Sequence, residues 1–269
     1  MSDTNLWDLS GNAAEQYEKI PARYILGPWA PGLVEAAEIQ RDERVLDIAC
    51  GTGVVTRAAA EKLGPAGHVT GLDLNEGMLE VARSLGDPGS GNIAWVQNSA
   101  IDIDFSDDSF DVVLCQQGLQ FFPDQRKALR ETHRVLRGDG RTYFSVWRGA
   151  GPYNDALGGA LSKYIDEDTS QRYLAARDVP DANALQSMFS DTGFRQVSIT
   201  PIEMEVRLPE IEKFILAHLR GTPVAGAVEA LSEGAQTAFV EAAVRDLSKF
   251  SDGSDVIVPD AINLVSGRK

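Results

Sequence analysis

The chain has 269 residues, 40 of them acidic and 25 basic, for a formal charge of −15, with 43% hydrophobic and 24% charged residues. That length buries one sizeable core, and the composition is that of a soluble globular protein. The acidity argues against nucleic acid as a partner, since sequence-independent binding to a phosphate backbone needs a basic face, whereas a small neutral or cationic substrate suits it.

The first ten residues, MSDTNLWDLS, are polar and acidic, unlike a secretory leader, and residues 6–40 read as two short helices broken by LGPWAPG. From Arg44 to Trp147 short apolar runs alternate with helical stretches, the pattern of βαβ units on a parallel sheet. RVLDIA (44–49) is the first strand, and VVTRAAAEKLG is a helix ended by GPAG at 64–67. HVTGLDL (68–74) is the second strand, after which EGMLEVARSLG (76–86) sets Met78, Leu79, Val81, Ala82 and Leu85 on one helical face. NIAWVQN (92–98) and FDVVLCQ (110–116) are the third and fourth strands. The helix DQRKALRETHRVLRGDG is expected to stop at Gly138 and Gly140, before the fifth strand RTYFSVW (141–147).

Residues 148–190 read as helical, and FRQVSIT (194–200) and DAINLVSGR (260–268) as strands around a helix-rich insertion at 209–248. There Leu231, Phe239, Val240, Val244 and Leu247 suit an amphipathic helix packed on the core or on a second subunit, which leaves a homodimer open. Its polar face is not basic, which speaks against a membrane-surface helix, and no apolar run reaches the roughly 18 residues of a membrane span. Cys50 and Cys115 show no metal or redox spacing and read as buried thiols of a cytoplasmic protein.

The segment VLDIACGTGVV (45–55) puts a glycine turn at the carboxyl end of the first strand, where open α/β sheets bind their ligands. Nucleoside triphosphates, nicotinamide dinucleotides and S-adenosylmethionine (SAM) are all held at such turns. A triphosphate loop needs Gly-Lys-Ser/Thr, and no Gly-Lys pair occurs in the chain. A dinucleotide turn wants G-x-G-x-x-G/A, but Thr56 stands at its third position. Asp73, ending the second strand, would grip a ribose in either remaining ligand. Asp47 discriminates: a carboxylate there repels pyrophosphate and suits a ligand carrying an ammonium and a sulfonium, although it could instead cap the following turn. The acidic DIDFSDDSFD is not a calcium loop, because counting from Asp102 its sixth residue is Asp107 and its twelfth Val113, where glycine and glutamate are required.

VLDIACGTG resembles the first motif of class I SAM-dependent methyltransferases, in the group related to ubiquinone/menaquinone-biosynthesis enzymes. GLDLNEGMLEVAR (71–83), DFSDDSFDVVLCQQGLQFFPD (104–124) and ALRETHRVLRGDGRTYFSVW (128–147) resemble the motifs that follow in that family, in the same order. The resemblance implies an α/β fold of Rossmann-like type: a mostly parallel seven-stranded sheet with helices on both faces. It further implies one domain over 1–269, with a helical cap at 1–40, a SAM-binding core at 41–147 and lid segments at 148–190 and 209–248. Asp47, Ala49, Gly51 and Gly53 would surround the methionine portion of SAM, Asp73 would take the ribose hydroxyls, and Leu74 and Met78 would flank the adenine. Ser99 and Ala100 fall where the family has Asp-Ala against the adenine edge; with Ser99 there, the contact to the exocyclic amine weakens or passes to Asn98. Gln116 would face the methionine end and the transfer site. Tyr17, in the N-terminal helix, is the candidate for a cation–π contact with the sulfonium.

Methyl transfer to a small-molecule acceptor, with S-adenosylhomocysteine (SAH) as product, needs alignment above all, plus a base where the acceptor must lose a proton. Of the three histidines, His68 starts the second strand at the far end, His133 sits mid-helix, and only His218, in the insertion, could reach a substrate. Trp29, Tyr153, Tyr164 and Phe214 in the variable segments suggest a hydrophobic acceptor, and are equally what a lid needs in order to fold. An NAD(P)-dependent oxidoreductase on the same fold is the enzymatic rival, and a non-catalytic SAM-binding or interaction protein is the third reading.

Overall fold

Runs of β-branched and aliphatic residues between Arg44 and Trp147 pair laterally into the centre of a sheet. The computed structural model describes residues 13–87 and 92–269; the start of the first expected helix, residues 6–12, lies outside them. The strands are β1 (Arg44–Ile48), β2 (His68–Asp73), β3 (Ile93–Gln97), β4 (Phe110–Gln116), β5 (Leu136–Trp147), β6 (Arg195–Leu208), β7 (Ser251–Asp252) and β8 (Asp255–Arg268), in the order β3-β2-β1-β4-β5-β8-β6, with β7 pairing β8. The seven expected strands are thus joined by a two-residue eighth. β1 runs parallel to β2 and β4, β2 to β3, and β4 to β5. The chain builds outward from β1 to β3, then returns to the other side of β1, so strand order reverses between β1 and β4. Val45, Leu46 and Ile48 of β1 and Val112 to Cys115 of β4 are fully buried, as in a parallel sheet covered on both faces.

Helix α1 (Ala13–Tyr17) continues through a π-helical stretch, Glu18–Leu26, and a 3-10 turn, Gly27–Trp29, into α2 (Ala30–Ala36). The two helical stretches expected on either side of LGPWAPG are present, and the interruption is the 3-10 turn: Pro28 and Pro31 open new helical segments, where a missing N–H costs nothing. α3 (Val54–Ala60) follows the glycine turn, α4 (Glu76–Ser84) is capped by the Asn75 side chain, and α5 (Gln125–Val135) by Asp124. The helix stop expected at Gly138 and Gly140 is corrected. α5 ends at Val135 because Leu136 takes extended backbone and pairs with Phe110, while Val112 pairs with Arg141; the register shift absorbs the glycines as a bulge.

The remaining helices are α6 (Gly151–Tyr164), α7 (Glu167–Leu174), α8 (Ala182–Asp191), α9 (Ile211–Leu219), α10 (Ala225–Glu229) and α11 (Glu233–Asp246). The chain divides into a sheet unit (Leu26–Val146, Pro180–Pro201 and Asn263–Lys269) and a helical unit made of the rest, β6 and β8 each contributing residues to both. Residues 26–40 and 180–190 fall in the sheet unit.

In the helical unit Arg177 makes a bidentate pair with Asp260, at 2.8 and 2.9 Å, and stacks 3.5 Å from the Trp147 ring. Tyr153 and Phe214 are both buried there and pack edge to face at 6.0 Å. In the sheet unit Phe189 of α8 is fully buried, edge-on to Phe144 at 5.3 Å and against Phe194 at 5.7 Å. Phe189→Ala is expected to cost about 3–5 kcal/mol through lost burial and a cavity, read as a lower urea midpoint with an unchanged slope.

Candidate active site at the carboxyl ends of the strands

The turn after β1 is built from alternating left-handed residues: Ala49 (φ 55°), Gly51 (φ 55°) and Gly53 (φ 86°). Such φ values suit glycine and strain alanine, so Ala49 is a locally costly choice held by its surroundings. The Cys50 N–H bonds the Leu72 carbonyl at 3.0 Å and the Gly53 N–H bonds that of Cys50 at 2.9 Å. The Gly51 N–H donates to Asp73 Oδ2 at 2.8 Å, and Asp73 Oδ1 accepts the Asn75 N–H at 2.9 Å. One carboxylate thus fixes the turns after β1 and β2 together.

Asp47 lies beneath the turn. Only 1% exposed, it accepts the Thr56 hydroxyl at 2.6 Å, which explains why threonine stands where a dinucleotide fingerprint has glycine. Burial pushes the Asp47 carboxyl up to about 7, against the Thr56 hydrogen bond and with the help of the Asp73 charge. Asp73 is also raised by burial, opposed by the Asn75 and Gly51 N–H donors. The expected choice between a ligand-facing Asp47 and a turn-capping one therefore has a mixed outcome: the side chain ties strand to helix, and it is a buried carboxylate a cation would stabilise.

Leu74 leaves β2 54% exposed, while Met78 is buried in the first turn of α4. Ala100 is buried, and Ser99 accepts the Ile101 N–H at 3.4 Å. Gln116 donates from Nε2 to the Leu26 carbonyl at 2.9 Å. Its Oε1 is buried without a hydrogen-bond partner, as are Asn98 Oδ1, Thr52 Oγ1 and Gln117 Nε2. Buried polar atoms are rarely left so, and these cluster at the carboxyl ends of β1, β3 and β4, where a bound polar ligand would satisfy them. Asp47, Ala49, Gly51, Gly53, Asp73, Leu74, Met78, Ser99, Ala100 and Gln116 all lie in the sheet unit around these strand ends. Tyr17 belongs to the helical unit, where Gly221 packs on its backbone.

Sequence reading missed Thr52 and Gln117. The signal at Gln117, buried with φ 48°, is only a glutamine pair before glycine. Gly53 also has a second constraint: a β-carbon there would come within 2.2 Å of the Trp95 ring, so its glycine serves packing as well as ligand approach.

His68 begins β2, at the opposite end of the sheet, and His133 of α5 stacks edge-on with Phe194 at 5.2 Å. His218, in the helical unit, is buried with Nδ1 2.8 Å from the Tyr153 hydroxyl, and burial, reinforced by Arg177, lowers it to about 3. Three of the five acids of DIDFSDDSFD are engaged by cations, Asp107 by Arg134, Asp108 by Lys269 and Asp111 by Arg137.

The sequence model of the ubiE/COQ5 methyltransferase family matches residues 27–206. The ubiquinone/menaquinone biosynthesis C-methyltransferase UbiE of Proteus mirabilis is 35% identical over 188 residues, 64% of this chain and 74% of its own length. The demethylmenaquinone methyltransferase of Geobacillus kaustophilus is 32% identical over 190 residues, 64% of this chain and 80% of its own length. Among solved structures, a phosphoethanolamine N-methyltransferase 2 from Haemonchus contortus bound to SAM superposes with a TM-score of 0.60 at 18% identity, covering 95% of this chain and 56% of that one. At that identity the likeness concerns the fold alone.

Because Asp47 is raised in the folded state, its stabilising contribution is full below its unfolded value near 4 and is lost as pH rises through about 7. Asp47→Asn, which keeps an acceptor for Thr56, is expected to flatten the fall in unfolding free energy between about pH 4 and 7; an unchanged dependence on pH in urea titrations would refute the assignment.

Proposed function

The chain belongs to the ubiE/COQ5 methyltransferase family, and we propose that its acceptor is a small quinol-type ring, methylated at the carboxyl ends of β1, β2 and β4. The protein is a SAM-dependent methyltransferase acting on a small molecule. The observation carrying the site assignment is the set of unsatisfied buried polar atoms around a turn pinned by Asp73. Ala49, Gly51 and Gly53 border the methionine portion, and Asp47 supplies negative charge beneath it. Asp73 takes the ribose hydroxyls through its remaining lone pairs, with Leu74 and Met78 on the faces of the adenine. Asn98, whose Oδ1 is free, receives the exocyclic amine in place of Ser99. Bound there, SAM supplies a methyl group on a sulfonium, open to in-line displacement.

The acceptor class follows from the relatives, one named for ubiquinone and menaquinone biosynthesis and one for demethylmenaquinone. The family match ends at residue 206, so α9 to α11 lie beyond it. Among the described residues of the sheet unit, no histidine stands at the carboxyl ends. Catalysis therefore rests on holding the acceptor in line, with Gln116 Oε1 and Gln117 Nε2 as the polar groups nearest the end of β4.

Incubation with SAM and a demethylmenaquinol is expected to release SAH, and SAM but not NAD(H) to raise the melting temperature; stabilisation by NAD(H) alone would overturn the reading. In calorimetry Asp73→Ala is expected to weaken SAM by about tenfold or more, the loss of a charge-assisted contact.

A further inference from the structure

Trp95 stands in the middle of the edge strand β3, opposite Gly71 of β2, which is in turn opposite Asp47 of β1. Successive strands thus present on one face an indole, an absent side chain and a buried carboxylate. A β-carbon on Gly71 would lie 2.5 and 2.6 Å from Trp95 ring atoms and 2.9 Å from Thr56 Oγ1. One on Gly53 would lie 2.2 and 2.8 Å from the same ring. Gly71 sits in regular strand backbone, so only room demands a glycine there. The indole therefore crosses β2 through the gap at Gly71 and reaches the end of the turn, beside the hydroxyl that binds Asp47.

We infer that Trp95 is a positioning residue for SAM: laid across Gly71, its indole props Gly53 from below and keeps water from the Thr56–Asp47 pair. The inference rests on the cofactor site proposed above. Asp73 fixes the turn through Gly51, and Trp95 fixes it two residues later through packing. Facing Asp47 are Thr56 and Arg57 on α3, Asp73 on β2, Cys50 in the turn and Cys115 on β4, and burial dominates its titration. Thinning that cover hydrates Asp47 and lets it ionise at lower pH.

The test compares Trp95→Leu, Trp95→Phe and Asp73→Ala in the full chain. Trp95→Leu is expected to weaken SAM by about tenfold in calorimetry and raise its KM in parallel, with kcat at saturating SAM within about twofold. Trp95→Phe, which keeps a six-membered ring, should recover most of that affinity. The pH at which SAM affinity rises should fall in Trp95→Leu. Unchanged affinity and an unmoved pH midpoint, even with a lower melting temperature, would overturn the inference and leave Trp95 a packing residue. If Asp73→Ala also binds SAM normally, the site assignment itself fails; if Asp73→Ala alone is weakened, only the role of Trp95 fails. Should Trp95→Leu not fold, Gly71→Ala, which displaces the ring from the other side, decides on the same readouts.

Discussion

Two hydrogen bonds to the Asp73 carboxylate organise the ligand end of this sheet. One oxygen holds Gly51 and the other Asn75, whose side chain in turn caps α4 by accepting the Met78 N–H at 3.3 Å. The two βα turns that flank the switch point on the β2 side are therefore tied to one carboxylate. Backbone N–H groups that would otherwise have faced water are consumed by a single acid, and the strained residue Ala49 is carried within the same frame. Removing that acid would disorganise geometry as well as remove charge.

The electrostatics follow from the packing. Asp47 is buried with Asp73, half-buried, near it, and Arg57, the cation acting on Asp47, is a minor influence beside burial. Its guanidinium is spent on the Thr52 carbonyl at 2.7 Å. Such a site holds unbalanced negative potential, which the protein tolerates by keeping a proton on Asp47 near neutrality. A cationic ligand supplies the missing counter-charge. Dinucleotides, whose pyrophosphate adds negative charge at the same place, meet the opposite response.

Much of this was legible in the sequence because parallel strands buried on both faces read as apolar runs with glycine punctuation. β4 matches its expected bounds, Phe110–Gln116, and the other strands of the first βαβ units fall within a residue of theirs. At Gly138 and Gly140 the local signal for a helix stop was overridden by tertiary pairing, through Leu136 with Phe110. The ring beneath the turn was illegible for a different reason. Gly71 and Trp95 are 24 positions apart, and only strand register brings them together. A glycine inside a strand was the one available hint. Of the aromatics that suited either a hydrophobic acceptor or the packing of a lid, Trp29, Tyr153 and Phe214 are buried and Tyr164 is half-buried, which fits the packing reading.

Ala49 also bears on how this chain can diverge. A β-carbon at Gly118 would lie 2.8 Å from the Ala49 methyl and 2.8 Å from Cys115 Sγ, although the backbone of Gly118 sits at an ordinary φ of −99°. Residues 49, 115 and 118 share one small volume where the ends of β1 and β4 meet. A side chain at 118 needs both neighbours to shift or shrink, so the three positions should drift together among descendants of this sequence. The order of those changes would be fixed by steric room and not by the chemistry of the ligand.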